Sequence, residues 1–163
     1  MKRKVFFSFH YQRDCQRVSQ IRNSQVIVSN SERFERTPFL DKADFEQVKR
    51  AKGIQKWIVE NMHYTSVVVV CFGLETAQRP WVKYELEKAH QEGRGIVAIN
   101  TSGMKTMQGE TDPSGVNPLR TAYDSTKVPL INHEKYLTFH WLNDNGRVNL
   151  GVWIERAAKL VGR

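Results

Sequence analysis

The chain has 163 residues, 40% of them hydrophobic and 26% charged, which suits one globular domain over residues 1–163 and excludes fibrous and natively disordered classes. Its formal net charge of +8 admits an anionic partner, but the basic residues are scattered over presumed helix faces without a recognition motif, so nucleic acid is not expected as a partner. No apolar run approaches the roughly 20 residues that cross a bilayer, Ser8 and His10 interrupt any export signal after the basic Met1–Lys4 tip, and Cys15 and Cys71 lie in unlike contexts, so no membrane, no disulfide and a reducing cytoplasm are expected.

Lys4 to His10 is dense in β-favouring residues and predicts a buried first strand centred on Val5 to Phe9. Asp14 can cap a helix running to about Asn23, with Val18 and Ile21 inward. A short strand is predicted at Gln25 to Ser29, then a surface loop from Asn30 to Lys42. Asp44 next caps a helix carrying Phe45, Val48, Ile54, Ile58 and Met62, weakened in its middle by Gly53. Thr65 to Phe72, with four consecutive valines, reads as the central strand, covered on both faces. After a turn at Gly73 to Gln78, Pro80 opens a helix to about Glu92, and Ile96 to Asn100 gives another buried strand. The alternation predicts a parallel, doubly wound α/β sheet. Thr101 to Asn132 is broken by Gly103, Gly109, Pro113 and Gly115 and reads as a long irregular segment. Tyr136 to Leu142 supplies a late strand, and Leu150, Ile154, Ala157 and Val161 a closing helix.

Ligands of open α/β sheets gather beyond the carboxyl ends of the strands. That rule selects Ser8, Phe9, His10 and Tyr11 after the first strand, Gly73 to Gln78 after the central one, and Asn100 to Gly103 after the next. On the helix that starts at Pro80, Val82, Leu86 and Ala89 form the buried stripe. Glu85 points roughly 60° from Val82 and stands one turn beyond Trp81, so a carboxylate and an indole share one flank. A desolvated carboxylate there can bind ribose hydroxyls and stabilise positive charge at an anomeric carbon. The plainer alternative is a surface glutamate paired with Lys83 or Lys88.

His10 can contact phosphate or move a proton, or it can be a structural histidine. Asp41 is a further candidate pocket residue, and Asp44 is explained by capping. Trp57, Trp141 and Trp153 are assigned to core packing. His63, His90, His133 and His140 show no ligand spacing, so no metal site is expected. The chain contains no dinucleotide-type glycine fingerprint, no P-loop and no nucleophile elbow.

Phe6-Phe7-Ser8-Phe9-His10-Tyr11, then Thr65-Ser66-Val67-Val68-Val69-Val70, then Arg79-Pro80-Trp81-Val82-Lys83-Tyr84-Glu85 resembles the TIR-like proteins of the bacterial Thoeris antiphage system. Gly115-x-Asn117-Pro118 looks like a later feature of the same family. The resemblance implies a flavodoxin-like, TIR-like three-layer fold around a mostly parallel sheet, with Glu85 as the catalytic residue. It implies an NAD nucleosidase or ADP-ribosyl cyclase type of activity, with NAD as substrate and neither cofactor nor metal. The ADP-ribose part would be cyclised or transferred to make a signal for a separate effector. Ser8, Phe9, His10 and Tyr11 would position the dinucleotide, with Trp81 or Phe9 stacking on a ring. A phage-derived trigger and a homo-oligomer are further expected partners. The competing expectation is a catalytically silent TIR-like interaction module using the Asn30 to Leu40 loop. A phosphoacceptor domain is disfavoured because the first strand ends Ser8-Phe9-His10-Tyr11 rather than in an acidic cluster.

Overall fold

A computed structural model describes residues 3–24, 34–36 and 53–163. Strand β1 spans Arg3–Ser8 and helix α1 spans Tyr11–Arg22. Strand β2 covers Phe34–Arg36, helix α2 Ile54–Met62 and strand β3 Val67–Phe72. Helix α3 runs Pro80–Gln91, strand β4 Gly95–Asn100, strand β5 Leu137–His140 and helix α4 Gly146–Leu160. The five strands form one sheet in the order β2-β1-β3-β4-β5, and every pairing is parallel. This is the doubly wound α/β architecture of flavodoxin-like folds.

The valine run is explained by its position. β3 pairs with β1 on one side and β4 on the other, and all six of its residues are buried. Side chains alternate between the two faces of a strand. Val67, Val69 and Cys71 therefore join Val5, Phe7, Val97 and Ile99 in a core closed by Val18 and Ile21 of α1 and Leu150, Ile154 and Ala157 of α4. Val68, Val70 and Phe72 join Phe6, Ile96 and Ala98 under Ile58 and Met62 of α2 and Val82, Leu86 and Ala89 of α3. A residue type that suits only one buried face would not serve both. Trp141 and Trp153 are buried as expected, the latter stacked on Phe139 at 4.2 Å between ring centroids. Both cysteines are free, and burial pushes the Cys71 thiol far up. Among the described residues no helix is long and apolar enough to cross a membrane.

Three expectations change. Gly53 does not lie within a helix: it is the residue preceding α2, at φ 77, a left-handed conformation that glycine adopts without strain and a helix interior does not contain. Asp14 is no cap, because α1 begins at Tyr11 after His10 and carries Asp14 fully buried in its first turn. Phe34–Arg36, within the expected loop, forms a short edge strand on β1 with Phe34 buried. The segment after β4 is irregular as expected, with two short 3-10 turns at Pro118–Arg120 and Leu130–Asn132, and it buries Met104, Leu119, Ala122 and Leu130. The strand predicted at Gln25 to Ser29, the helix start at Asp44 and the residues Phe45 and Val48 lie outside the described residues.

Candidate functional site

Ser8 is two residues beyond Phe6 on β1 and therefore faces the α2–α3 side of the sheet. On that side a cleft of about 230 Å³ opens. Its walls are Phe9, His10, Tyr11 and Gln12 leaving β1, Ile54, Trp57 and Ile58 from α2, and Arg79, Pro80, Trp81, Val82 and Glu85 from the start of α3. The sheet order reverses between β1 and β3, so the cleft occupies the topological switch point where ligands of such sheets bind.

The walls are mostly apolar, yet polar atoms without partners collect here. Six buried side-chain nitrogen or oxygen atoms among the described residues have no hydrogen-bond partner, and four of them are Ser8 Oγ, His10 Nδ1, Arg79 Nε and Glu85 Oε2. Leaving such a group unsatisfied costs about 1–3 kcal/mol. Their concentration at the end of β1 and the start of α3 makes this corner a candidate ligand site.

Glu85 is only 9% exposed. Burial pushes its pKa up from 4.5 to about 8, and the nearby Ser8 hydroxyl pulls it back without forming a full hydrogen bond. The carboxyl is therefore mainly protonated at neutral pH while the cleft is empty, and a cation placed beside it would ionise it. His10, 7% exposed, is held below the usual histidine range, first by burial and then by the Arg79 charge. It is neutral at physiological pH and can accept or donate a hydrogen bond. Arg79 is the residue preceding α3, whose first turn carries no acidic side chain. Its charge thus adds to the positive end of the helix dipole. Trp81 is 41% exposed and meets Tyr84 edge-on at 5.7 Å. It offers a flat apolar face one turn before Glu85.

Residues 6–106, more than half the chain and including every described wall of this cleft, match the family described as the Thoeris protein ThsB, TIR-like domain. The chain belongs to this Thoeris TIR-like family. It is also 29% identical, over 156 residues, to a Bacillus cereus (strain MSX-D12) protein named as a candidate cyclic ADP-D-ribose synthase, ThsB1, covering 94% of this chain and 72% of that protein.

In this Thoeris TIR-like chain the structure gathers five of the residues singled out from sequence, Phe9, His10, Tyr11, Trp81 and Glu85, around one cleft. It sets Ser8 close enough to the Glu85 carboxyl to shift its pKa. The surface ion-pair reading of Glu85 does not hold, since its carboxyl is buried and unpaired. Asp41 lies outside the described residues. Neither Gly73 to Gln78 nor Asn100 to Gly103 lines the cleft, because both are occupied by other contacts. A side chain at Gly115 would come within 2.0 Å of the Gly73 carbonyl oxygen, and one at Gly73 within 2.7 Å of Asp14. The backbones of the two loops therefore touch. The Gly73 N–H donates to Thr76 Oγ1, which donates to Asp14 Oδ2. Asn100 Nδ2 donates to Ser114.

Sequence reasoning missed Trp57 and Arg79. Trp57 packs against the core as expected, 6.1 Å from Phe6 between ring centroids, but it is only half-buried and also lines the cleft. Its place on an apolar helix stripe does not tell core from cleft. Arg79 directly precedes Pro80, where a residue leading into a helix is placed for ligand contact; that position was the available signal.

Proposed function

We propose that this protein cleaves NAD at the nicotinamide–ribose bond in Thoeris antiphage defence and turns the ADP-ribose part into a nucleotide signal for a separate effector. The observation that carries this reading is the Glu85 carboxyl, buried, unpartnered and facing a cleft shared with Trp81. The family match and the name of the Bacillus cereus relative support it.

The chemistry follows from the walls. The nicotinamide of NAD is a cationic ring, and its arrival beside Glu85 favours loss of the carboxyl proton. The carboxylate then faces the ribose and stabilises the oxocarbenium-like charge as the C1′–N bond breaks. The bonding electron pair leaves on nicotinamide, which departs neutral. A nucleophile then captures C1′. If that nucleophile is a nitrogen of the substrate's own adenine, the product is cyclic; if it is water, the product is ADP-ribose. Trp81 or Phe9 stacks on a ring, the chain leaving β1 through Ser8 and Tyr11 positions the dinucleotide, and Arg79 faces the diphosphate.

The test is nicotinamide release by wild type and Glu85→Gln in lysate from phage-infected cells, which supplies the expected trigger. The substitution keeps the shape and removes the charge. Release should fall by at least about 100-fold. Release at the wild-type rate would remove Glu85 from the chemistry. Absence of release from both folded proteins would favour the interaction-module reading.

A further inference from the structure

On the far end of α3, about 140° around the helix from Glu85 by its five-residue offset, a second group of side chains converges. His90 from the last turn of α3 meets Asp124 and His133 from the segment after the Pro118–Arg120 turn, and one ligand atom from each lies within 4.8 Å of the others. The two imidazole rings are 4.9 Å apart between centroids. His133 Nε2 lies 2.9 Å from Asp124 Oδ2, and His90 Nδ1 lies 2.5 Å from the Tyr136 hydroxyl.

We propose that His90, Asp124 and His133 form a binding site for one divalent transition-metal ion of the zinc class. Two imidazoles and a carboxylate make a donor set that suits such ions and does not suit magnesium or calcium, which take oxygen.

The surroundings orient these ligands as outer partners do in metal sites. Asp124 Oδ1 is fixed by the Thr126 N–H at 2.9 Å, the Thr126 hydroxyl at 2.7 Å and the Val128 N–H at 3.0 Å, which leaves Oδ2 aimed at His133. The Tyr136 hydroxyl, on a residue only 6% exposed, holds one nitrogen of His90 and leaves the other ring nitrogen for an ion. Ligands of a tetrahedral zinc ion sit about 2.0–2.1 Å from the metal, and atoms that already lie within 4.8 Å of one another reach that geometry by rotamer adjustment. Three protein ligands leave one position for water. The ion would staple the loop before β5 to the end of α3, the helix that carries Glu85.

The full chain, stripped with EDTA and dialysed, is titrated with zinc chloride in a calorimeter and followed by thermal denaturation. One equivalent should bind saturably, and a hundred-fold excess over Kd should raise Tm by about 5 °C or more. His90→Gln, Asp124→Asn and His133→Gln should each weaken binding beyond the roughly 10–100-fold that losing an outer partner costs. Tyr136→Phe should fall within that range, and the exposed His63→Gln should bind as wild type. Should a ligand variant fail to fold, cobalt decides on the wild-type protein. Intense visible bands of four- or five-coordinate cobalt support the site, and a weak hexa-aquo spectrum overturns it. Absence of saturable zinc binding, or ligand variants that bind like wild type, would overturn it too.

Discussion

Glu85 carries two opposed requirements, since its surroundings exclude water and provide no positive partner, while the proposed chemistry needs its charge. The fold therefore holds a carboxyl with a pKa of about 8 against 4.5 for an unrestrained glutamate. A raised folded-state pKa in an acid means that the native state binds the extra proton, so stability falls as pH rises from about 4.5 to about 8. Removing the ionisable group should relieve this. Urea denaturation should find Glu85→Gln more stable than wild type by roughly 2–4 kcal/mol at pH 8, with the gap closing towards pH 5. An equal gap at both pH values would mean that Glu85 is not a strained carboxyl. At this scale the sequence was informative where geometry follows from spacing: Trp81 and Glu85 are four apart on one helix and must share a flank. It was silent where orientation depends on distant contacts. Nothing local in Trp57 tells whether its indole faces Phe6 or solvent, and the histidines of the proposed metal site are 43 positions apart in a chain whose folding alone unites them.

Among the elements, the segment after β4 is irregular, as its sequence predicts, and yet it is anchored. Its glycines and prolines break periodicity, so it read as irregular, but side chains from α1 hold it in place. Arg17, 4% exposed, donates through Nε to the Met104 carbonyl at 2.9 Å, through Nη1 to Asp112 at 3.2 Å and through Nη2 to the Glu110 carbonyl at 3.2 Å. It also lies 3.6 Å from Asp14, whose carboxyl burial pushes upward in pKa. Arg13 adds a bidentate contact to Asp112. Deleting one partner of a buried ion pair typically costs 3–5 kcal/mol, because the other charge is left unsolvated. Arg17→Met should lower stability by about that much in denaturant titration. A loss below about 1 kcal/mol, the range of surface pairs, would show that the loop is held by other contacts. The long strands and amphipathic helices were legible because burial on one or two faces writes a period into the chain. The edge strand β2 was not, since three residues are too few to show one and Glu35 is exposed.

For the whole molecule, alternation of strand and helix was enough to predict the parallel sheet. It was not enough to give the strand order, because the return of β3 to the opposite side of β1 from β2 depends on which edge each crossover takes. That return creates the switch point, and with it the cleft between the end of β1 and the first turn of α3. The catalytic reading therefore rests on topology as well as on Glu85. It is tested most directly by the pH dependence of nicotinamide release from NAD by wild type and Glu85→Gln, measured side by side as kcat/KM under triggered conditions. The account predicts a wild-type value that rises with pH and levels off above about 8 as the free carboxyl ionises, and a Glu85→Gln value reduced by at least about 100-fold throughout. Equal release by the two proteins at every pH would contradict it.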